Sequence, residues 1–336
     1  MTPAATESDQ ARPQMATTDP VDMVMTVCGP IPPARLGVTL SHDHVLIDAW
    51  DMVRSYSVIL DDEAVATEEL FRYQRAGGSA ICDPTTCDLG RDPEALRRVS
   101  EATGVHIVMG SGWYRPATYP TYIEQEGPGQ LAERLIAELT QGVGATGIRP
   151  GFIGEIGTER HFIAPATERV FRATARAHVA TGCPIVTHTT HSGELAIAQL
   201  DLLEEEGADP ARVIISHLGD KRSPGGLMAI ARRGAWLSVD NLGFVAGYAP
   251  LDIRARNVVA LWEAGYGNRV LLGNDICTKE QLSVNGGCGY GNVLTAFIPL
   301  LKAHGLTDEE ITAMTTGNPA RAFAYRAAVA PPSAAG

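Results

Sequence analysis

The stretch GVTLSHDHVLID, residues 37–48, has the composition of a β-strand but carries His42 and His44 where a core-facing strand would carry apolar side chains. Side chains alternate across a strand, so residues two apart share a face. The two imidazoles therefore point together, with Asp43 directed the other way. Two polar rings aimed into an interior need something polar to meet. What they meet depends on what the rest of the chain brings beside them.

Working outward, VTLSHDHVLI (38–47) is the first of eight apolar runs. The others are SAICDPT (79–85), HIVMGSGWY (106–114), GFIGEIG (151–157), PIVTHT (184–189), RVIISHLG (212–219), AWLSVDNLG (235–243) and RVLLGNDI (269–276). Amphipathic or alanine-rich segments follow them at 62–76, 93–103, 129–141, 166–181, 193–206, 225–233, 252–265 and 292–304. Asp92 before Pro93 reads as a helix cap, and Gly77, Gly104, Gly182, Gly207 and Gly234 fall where helices terminate on a left-handed residue. Near-continuous apolar strands alternating with helices indicate an α/β protein with a parallel sheet covered by helices. Eight units predict a closed (β/α)8 barrel, the TIM barrel, as a single domain over residues 23–326. An open doubly wound sheet is the runner-up, but no G-x-G-x-x-G follows the first strand. Residues 1–22 read as a disordered N-terminal tail and 327–336 as a flexible C-terminal one.

Composition narrows the function classes. A net charge of −12 over 336 residues argues against nucleic acid or an anionic membrane surface as a partner. The chain has neither an apolar signal segment near its start nor a run of about 18 apolar residues. Six cysteines without C-x-x-C spacing read as reduced thiols, and the expectation is a cytoplasmic protein.

In a barrel of this kind, chemistry sits at the C-terminal ends of the strands. Polar residues gather there: His42 and His44 on strand 1, Glu155 on strand 4, His188 on strand 5, His217 on strand 6 and Asp275 on strand 8. Any one of these histidines alone can be a satisfied core or rim residue. Six such groups at matching ends form a ligand set. Imidazole and carboxylate suit zinc, with manganese, cobalt or iron also fitting. Six groups exceed the needs of one tetrahedral ion and suit two divalent ions per chain, about 3.5–4 Å apart.

Several blocks carry a family resemblance. TVCGPIPPARLGVTLSHDHVLID (26–48), IGEIGT (153–158), VTHTT (186–190), ISHLGD (215–220), LLGNDI (271–276) and TGNPARAF (316–323) resemble the phosphotriesterase family of the amidohydrolase superfamily, in order and spacing. The likeness runs over roughly residues 25–326. It implies that His42, His44 and Asp275 hold the more buried metal, that His188 and His217 hold the exposed one, and that the residue ending strand 4 bridges them. Many members use a carboxylated lysine there. This chain has Glu155, and no lysine precedes Lys221. VNGGCGYGNVLTAFIPLL (284–301) is similar to the glutamate-bridged branch, which includes the phosphotriesterase homology and phosphotriesterase-related proteins.

The implied chemistry is hydrolysis of a small molecule: a bridging hydroxide attacks a carbonyl, and Asp275 shuttles the proton to the leaving group. Carboxylic ester or lactone ranks first, N-acyl amide second and phosphotriester third. Asp240–Asn241 replaces the Asp–Arg pair of acyl-homoserine lactonases and weakens that particular reading. A non-catalytic metal-containing binding barrel and a single-metal lyase or isomerase are the rivals.

Expected substrate contacts are Tyr114, Arg160, Lys221 and Asp240. Asp220 is a candidate to orient His217, and His191 reads as a rim residue. The cations Arg160, His161, Lys221 and Arg222 in mouth loops suggest a substrate bearing a carboxylate, sulfonate or phosphate. The resemblance also implies a homodimer.

Overall fold

Eight short parallel strands form one sheet in the computed structural model, which describes residues 22–190, 193–220 and 224–326. They are β1 (Thr39–Leu40), β2 (Ala80–Asp83), β3 (His106–Ser111), β4 (Phe152–Gly157), β5 (Ile185–His188), β6 (Val213–Ile215), β7 (Trp236–Val239) and β8 (Val270–Leu272). Strands adjacent in sequence pair with one another throughout. Closure between β8 and β1 comes from bonds that run just past the strands. The N–H groups of Ser41, His44 and Asp275 donate to the carbonyls of Leu272, Ile276 and His42, at 2.8, 3.0 and 3.0 Å. The result is the expected (β/α)8 barrel.

Helices cover the outside: α1 (Glu63–Arg75), α2 (Pro93–Thr103), α3 (Pro128–Gln141), α4 (Pro165–Thr181), α5 (Ala196–Glu205), α6 (Pro224–Arg232), α7 (Leu251–Glu263) and α8 (Ile298–Ala303), the last entered through a π-helical turn. The expected cap on α2 is present: the Asp92 carboxylate accepts from the N–H groups of Glu94 and Ala95, and Pro93 occupies the first helical position. All five glycines expected to end helices have positive φ, between 72° and 102°.

The strand period separates two cores. Cys82, Val108, Phe152, Val186, Ile214 and Leu271 fill the barrel interior from below, while their neighbours Ile81, Ile107, Ile153, Ile185, Ile215 and Leu272 pack under the helices. Phe323, after the last helical turn, closes the lower end with its ring 5.5 Å from that of Phe152. With the floor apolar and filled, the upper end is left for polar groups.

The strands are shorter than expected. β1 contains only Thr39 and Leu40, so His42 and His44 lie beyond its end, and β6 and β8 stop two and three residues before His217 and Asp275. At those points the backbone leaves the ladder. His217 and Asp275 adopt φ of 61° and 58°, a left-handed conformation rare outside glycine. Each such residue costs about 1–3 kcal/mol, a strain characteristic of functional positions.

Candidate metal centre

The mouth is assembled by devices that turn side chains inward. Asp43 points away from the two histidines, and its carboxylate accepts from the backbone N–H groups of Asn274 and Ile276, at 3.0 and 3.1 Å. This pins the segment after β1 to the segment after β8 and brings His42 and His44 beside Asp275. In β4 the pairing register shifts between Ile153 and Ile156, a β-bulge that re-aims Glu155. Gly154 before it has φ of 135°, and a Cβ there would lie 2.0 Å from the Val186 carbonyl oxygen. Only glycine fits that approach.

Six predicted groups converge. Glu155 Oε2 lies 3.1 Å from His188 Nδ1, 3.3 Å from His217 Nε2 and 3.5 Å from His42 Nε2; Oε1 lies 3.5 Å from His44 Nε2. Asp275 Oδ1 is 3.6 Å from Nε2 of both His42 and His44. The rings of His42 and His217 are 4.7 Å apart, and those of His188 and His217 are 4.5 Å apart. Two overlapping sets, His42–His44–Asp275 and His42–Glu155–His217, each bring one ligand atom per residue within 4.8 Å of the others. The first matches the expected buried set. The second contains His42 where the expected exposed set has His188, whose ring faces Glu155 and Tyr114.

Neighbouring groups fix the tautomers. His44 Nδ1–H donates to Thr85 Oγ1 at 2.8 Å, and that hydroxyl donates onward to the Leu46 carbonyl. His217 Nδ1–H donates to Asp240 Oδ1 at 3.0 Å, and His217's backbone N–H donates to the same oxygen at 2.8 Å. Both rings thereby direct Nε2 to the centre. His42 Nδ1 faces Asp240 Oδ2 at 3.4 Å, and its buried Nε2 has no hydrogen-bond partner.

The donor set fits divalent cations. An orphaned buried nitrogen is costly unless something ligates it. Burial opposes charge on His44, yet hydrogen bonds with Asp275 and Glu155 pull its pKa up to about 10. Burial opposes ionisation of Glu155 too, but the charge of His42 and bonds from His188, His217 and His44 hold its carboxyl well below the usual range. The carboxylates thus demand positive charge in a buried place. His188 is the exception: burial, then the charge of His217, push its pKa down to about 4.

Above the cluster opens a cavity of about 330 Å³ whose wall includes Ile47, Met52, Val58, Leu89, Phe244 and Tyr248. Tyr114 lines it, its hydroxyl 3.2–3.3 Å from the ring nitrogens of His188. Asp240 does not reach the cavity; it is fully buried behind His42 and His217, so its position suits holding the histidines and not a substrate. Asp220, the residue considered for that task, instead accepts from Asn241 Nδ2 and the Ala249 N–H and pairs with Arg254. Arg160 is exposed and off the cavity wall, and His161 pairs with exposed Glu194 at 2.8 Å. Lys221, Arg222 and His191 lie outside the described residues, as do both expected tails apart from Asp22.

Sequence reasoning missed Arg115 on the cavity wall, Thr85 behind His44, and Arg254, which is fully buried beneath the loop after β7. Arg115 was signalled by its place beside Tyr114 in WYRP. Arg254 had no signal, because a buried arginine on a helix looks like an exposed one in sequence.

A (β/α)8 barrel with a clustered His/Asp/Glu mouth defines the class of metal-dependent hydrolases. A model of the phosphotriesterase family matches residues 22–323, and the chain belongs to that family. It is 33% identical over 287 residues to the phosphotriesterase homology protein of Escherichia coli, covering 85% of this chain and 98% of that one. It is 31% identical over 349 residues to the N-acetyltaurine hydrolase of Homo sapiens, covering 90% and 98%. The crystal structure of a lactonase from Listeria monocytogenes superposes with a TM-score of 0.84 at 26% identity, covering 90% and 98%. The chain is accordingly similar both to a lactone hydrolase and to an amide hydrolase. No helix among the described residues is long and apolar enough to cross a membrane.

Proposed function

We propose that this protein is a binuclear-metal hydrolase of a carboxylic ester or lactone. In this reading His42, His44 and Asp275 hold one cation, His188 and His217 hold the second, and Glu155 lies between them; zinc is the first choice of ion. The observation that carries it is the contact of Glu155 with all four imidazoles beneath a cavity sized for a small molecule. Two divalent ions in such a site supply a water ionised near neutral pH and polarise the oxygen of the bond to be cut.

The chain's own residues supply the rest. Asp275, with an oxygen on the cavity side, accepts the proton of the attacking water and delivers it to the leaving oxygen. Tyr114, against His188, is placed to donate its hydroxyl to substrate; burial holds its pKa well above 10, so it stays protonated. The apolar wall excludes water around the acyl group.

An N-acyl amide is the second reading, favoured by the similarity to N-acetyltaurine hydrolases. Phosphotriester hydrolysis ranks third.

The test is metal analysis of purified protein together with chelator-sensitive hydrolysis of a panel of lactones, esters, N-acyl amides and phosphotriesters. Two ions per chain with ester or lactone turnover is expected. Amide turnover alone replaces the first reading with the second, and two ions with no turnover of any class favours a binding barrel.

A further inference from the structure

The cavity above the metal centre has one cation other than histidine among its described lining residues, Arg115. Its surroundings are unusual for a guanidinium. No carboxylate among the described residues lies within ion-pair distance of it, its Nη2 donates only to the thioether sulfur of Met52 at 3.4 Å, and its Nε is buried without a hydrogen-bond partner. Thioether sulfur is a weak acceptor, so nearly all of the donor capacity of this side chain is unused. The buried Nε–H is costly to leave unpaired, and a guanidinium with so little bound is suited to an anionic ligand.

The side chain is also held in place. Its stem crosses Gly157 at the end of β4, where a Cβ would come within 2.8 Å of Arg115 Cγ. Its guanidinium carbon sits 5.0 Å from the centre of the Tyr114 ring, which in turn lies 4.8 Å from the His188 ring centre. The guanidinium is therefore within about 10 Å of the metal-centre histidines, the reach of about three extended backbone units.

We propose that Arg115 is the specificity-determining residue of this site, receiving an anionic group carried by the substrate on the side of the scissile bond away from the metals. The substrate class is a short acyl ester or amide with a carboxylate, sulfonate or phosphate a few bonds from the carbonyl. Hydrolysis adds water across the acyl bond and leaves the anionic group untouched, so Arg115 binds without taking part in bond breaking. The inference rests on the hydrolase reading above. It replaces the exposed Arg160 as the residue that selects for charge.

The experiment compares metal-loaded full-length wild type, Arg115→Met and Arg115→Lys on 3-acetoxypropionate, 2-acetoxyethanesulfonate and 2-acetoxyethyl phosphate against neutral 3-acetoxypropionamide, each paired with its N-acetyl amide counterpart. Arg115→Met is expected to lower kcat/KM for the preferred anion about 100-fold, mainly through KM, and to leave the neutral compound within about twofold. Arg115→Lys is expected to recover part of the loss. The three anions identify which headgroup is taken. Equal turnover of charged and neutral probes by wild type, unchanged in Arg115→Met, overturns the assignment and leaves the hydrolase reading intact. If wild type turns over none of these, the wider panel decides the hydrolase reading, and calorimetric titration with glutarate and butyrate decides the Arg115 assignment alone. A preference for glutarate that Arg115→Met abolishes supports it, and equal binding overturns it.

Discussion

Asp240 grips His217 at two points with one carboxylate oxygen, taking the backbone N–H at 2.8 Å and the ring Nδ1–H at 3.0 Å. Backbone and ring are locked together, and Nε2 is left facing Glu155 and the centre. Asp240→Asn is expected to weaken metal binding about 10- to 100-fold, as loss of a partner behind a ligating histidine generally does. Calorimetric metal titration measures this directly. Activity of the variant should return when excess metal restores occupancy, which separates a positioning role from a substrate contact.

Glu155 touches all four imidazoles, so removing its charge should affect both ions. Glu155→Gln is expected to reduce the metal content from two ions per chain to one or fewer, and to lower kcat about 10²- to 10³-fold. Elemental analysis alongside steady-state kinetics checks both. A variant with two ions and full activity would exclude the bridging role.

Metal removal should also destabilise the fold. A site saturated at about 100 times its dissociation constant adds about 2.7 kcal/mol per ion, and in a chain of this size 1 kcal/mol moves Tm by about 1–2 °C. Dipicolinate-stripped protein is therefore expected to melt several degrees below the loaded form, with recovery on adding Zn2+. Differential scanning calorimetry before and after re-addition is the measurement.

Arg254 is fully buried and donates to the carbonyls of Asn241 and Phe244, at 2.5 and 2.9 Å, with Asp220 at 3.4 Å from its Nε. It ties the loops after β6 and β7 together beside the mouth. Arg254→Met leaves those carbonyls and Asp220 without their cation, at an expected cost of about 3–5 kcal/mol in urea unfolding. The double variant with Asp220→Asn should cost less than the sum of the single changes, because the pair is coupled.

His178 gives a pH dependence unrelated to the metals. Its Nδ1–H donates to the Cys183 carbonyl at 2.7 Å, and its Nε2 accepts from the Asp209 N–H. Burial lowers its pKa from the ordinary 6.5. Above that value neither folded nor unfolded chain protonates it. Below it the unfolded chain binds the proton first, so stability falls as pH drops from about 6.5 toward the lowered native value. His178→Gln should flatten that part of the wild-type profile, read from urea midpoints between pH 7.5 and 5.

The eight-unit architecture was legible in the sequence because apolar runs, capping residues such as Asp92 and helix-ending glycines all report local structure. The six groups of the centre were legible because each follows a strand-like run. The strand limits were not, since His217 and Asp275 leave the ladder through left-handed backbone that no residue type announces. Nor were the supporting residues. Asp240 reads in sequence as a substrate contact, but its place behind His217 was not legible, nor was that of Thr85 behind His44 or of Arg115 on a cavity wall built from other loops; such relations exist only once the barrel closes.

The pinning of the first loop to the last has a consequence for biogenesis. Asp43 and Ile276 are 233 positions apart, so His42 and His44 leave the ribosome long before the residue that completes their site. Until the eighth strand is translated and docked, those histidines lack Asp275 beside them, and any cation held by the three together would be loaded after that point. A product truncated before Asn274 would carry most of the ligands and still lack the lock that gathers them.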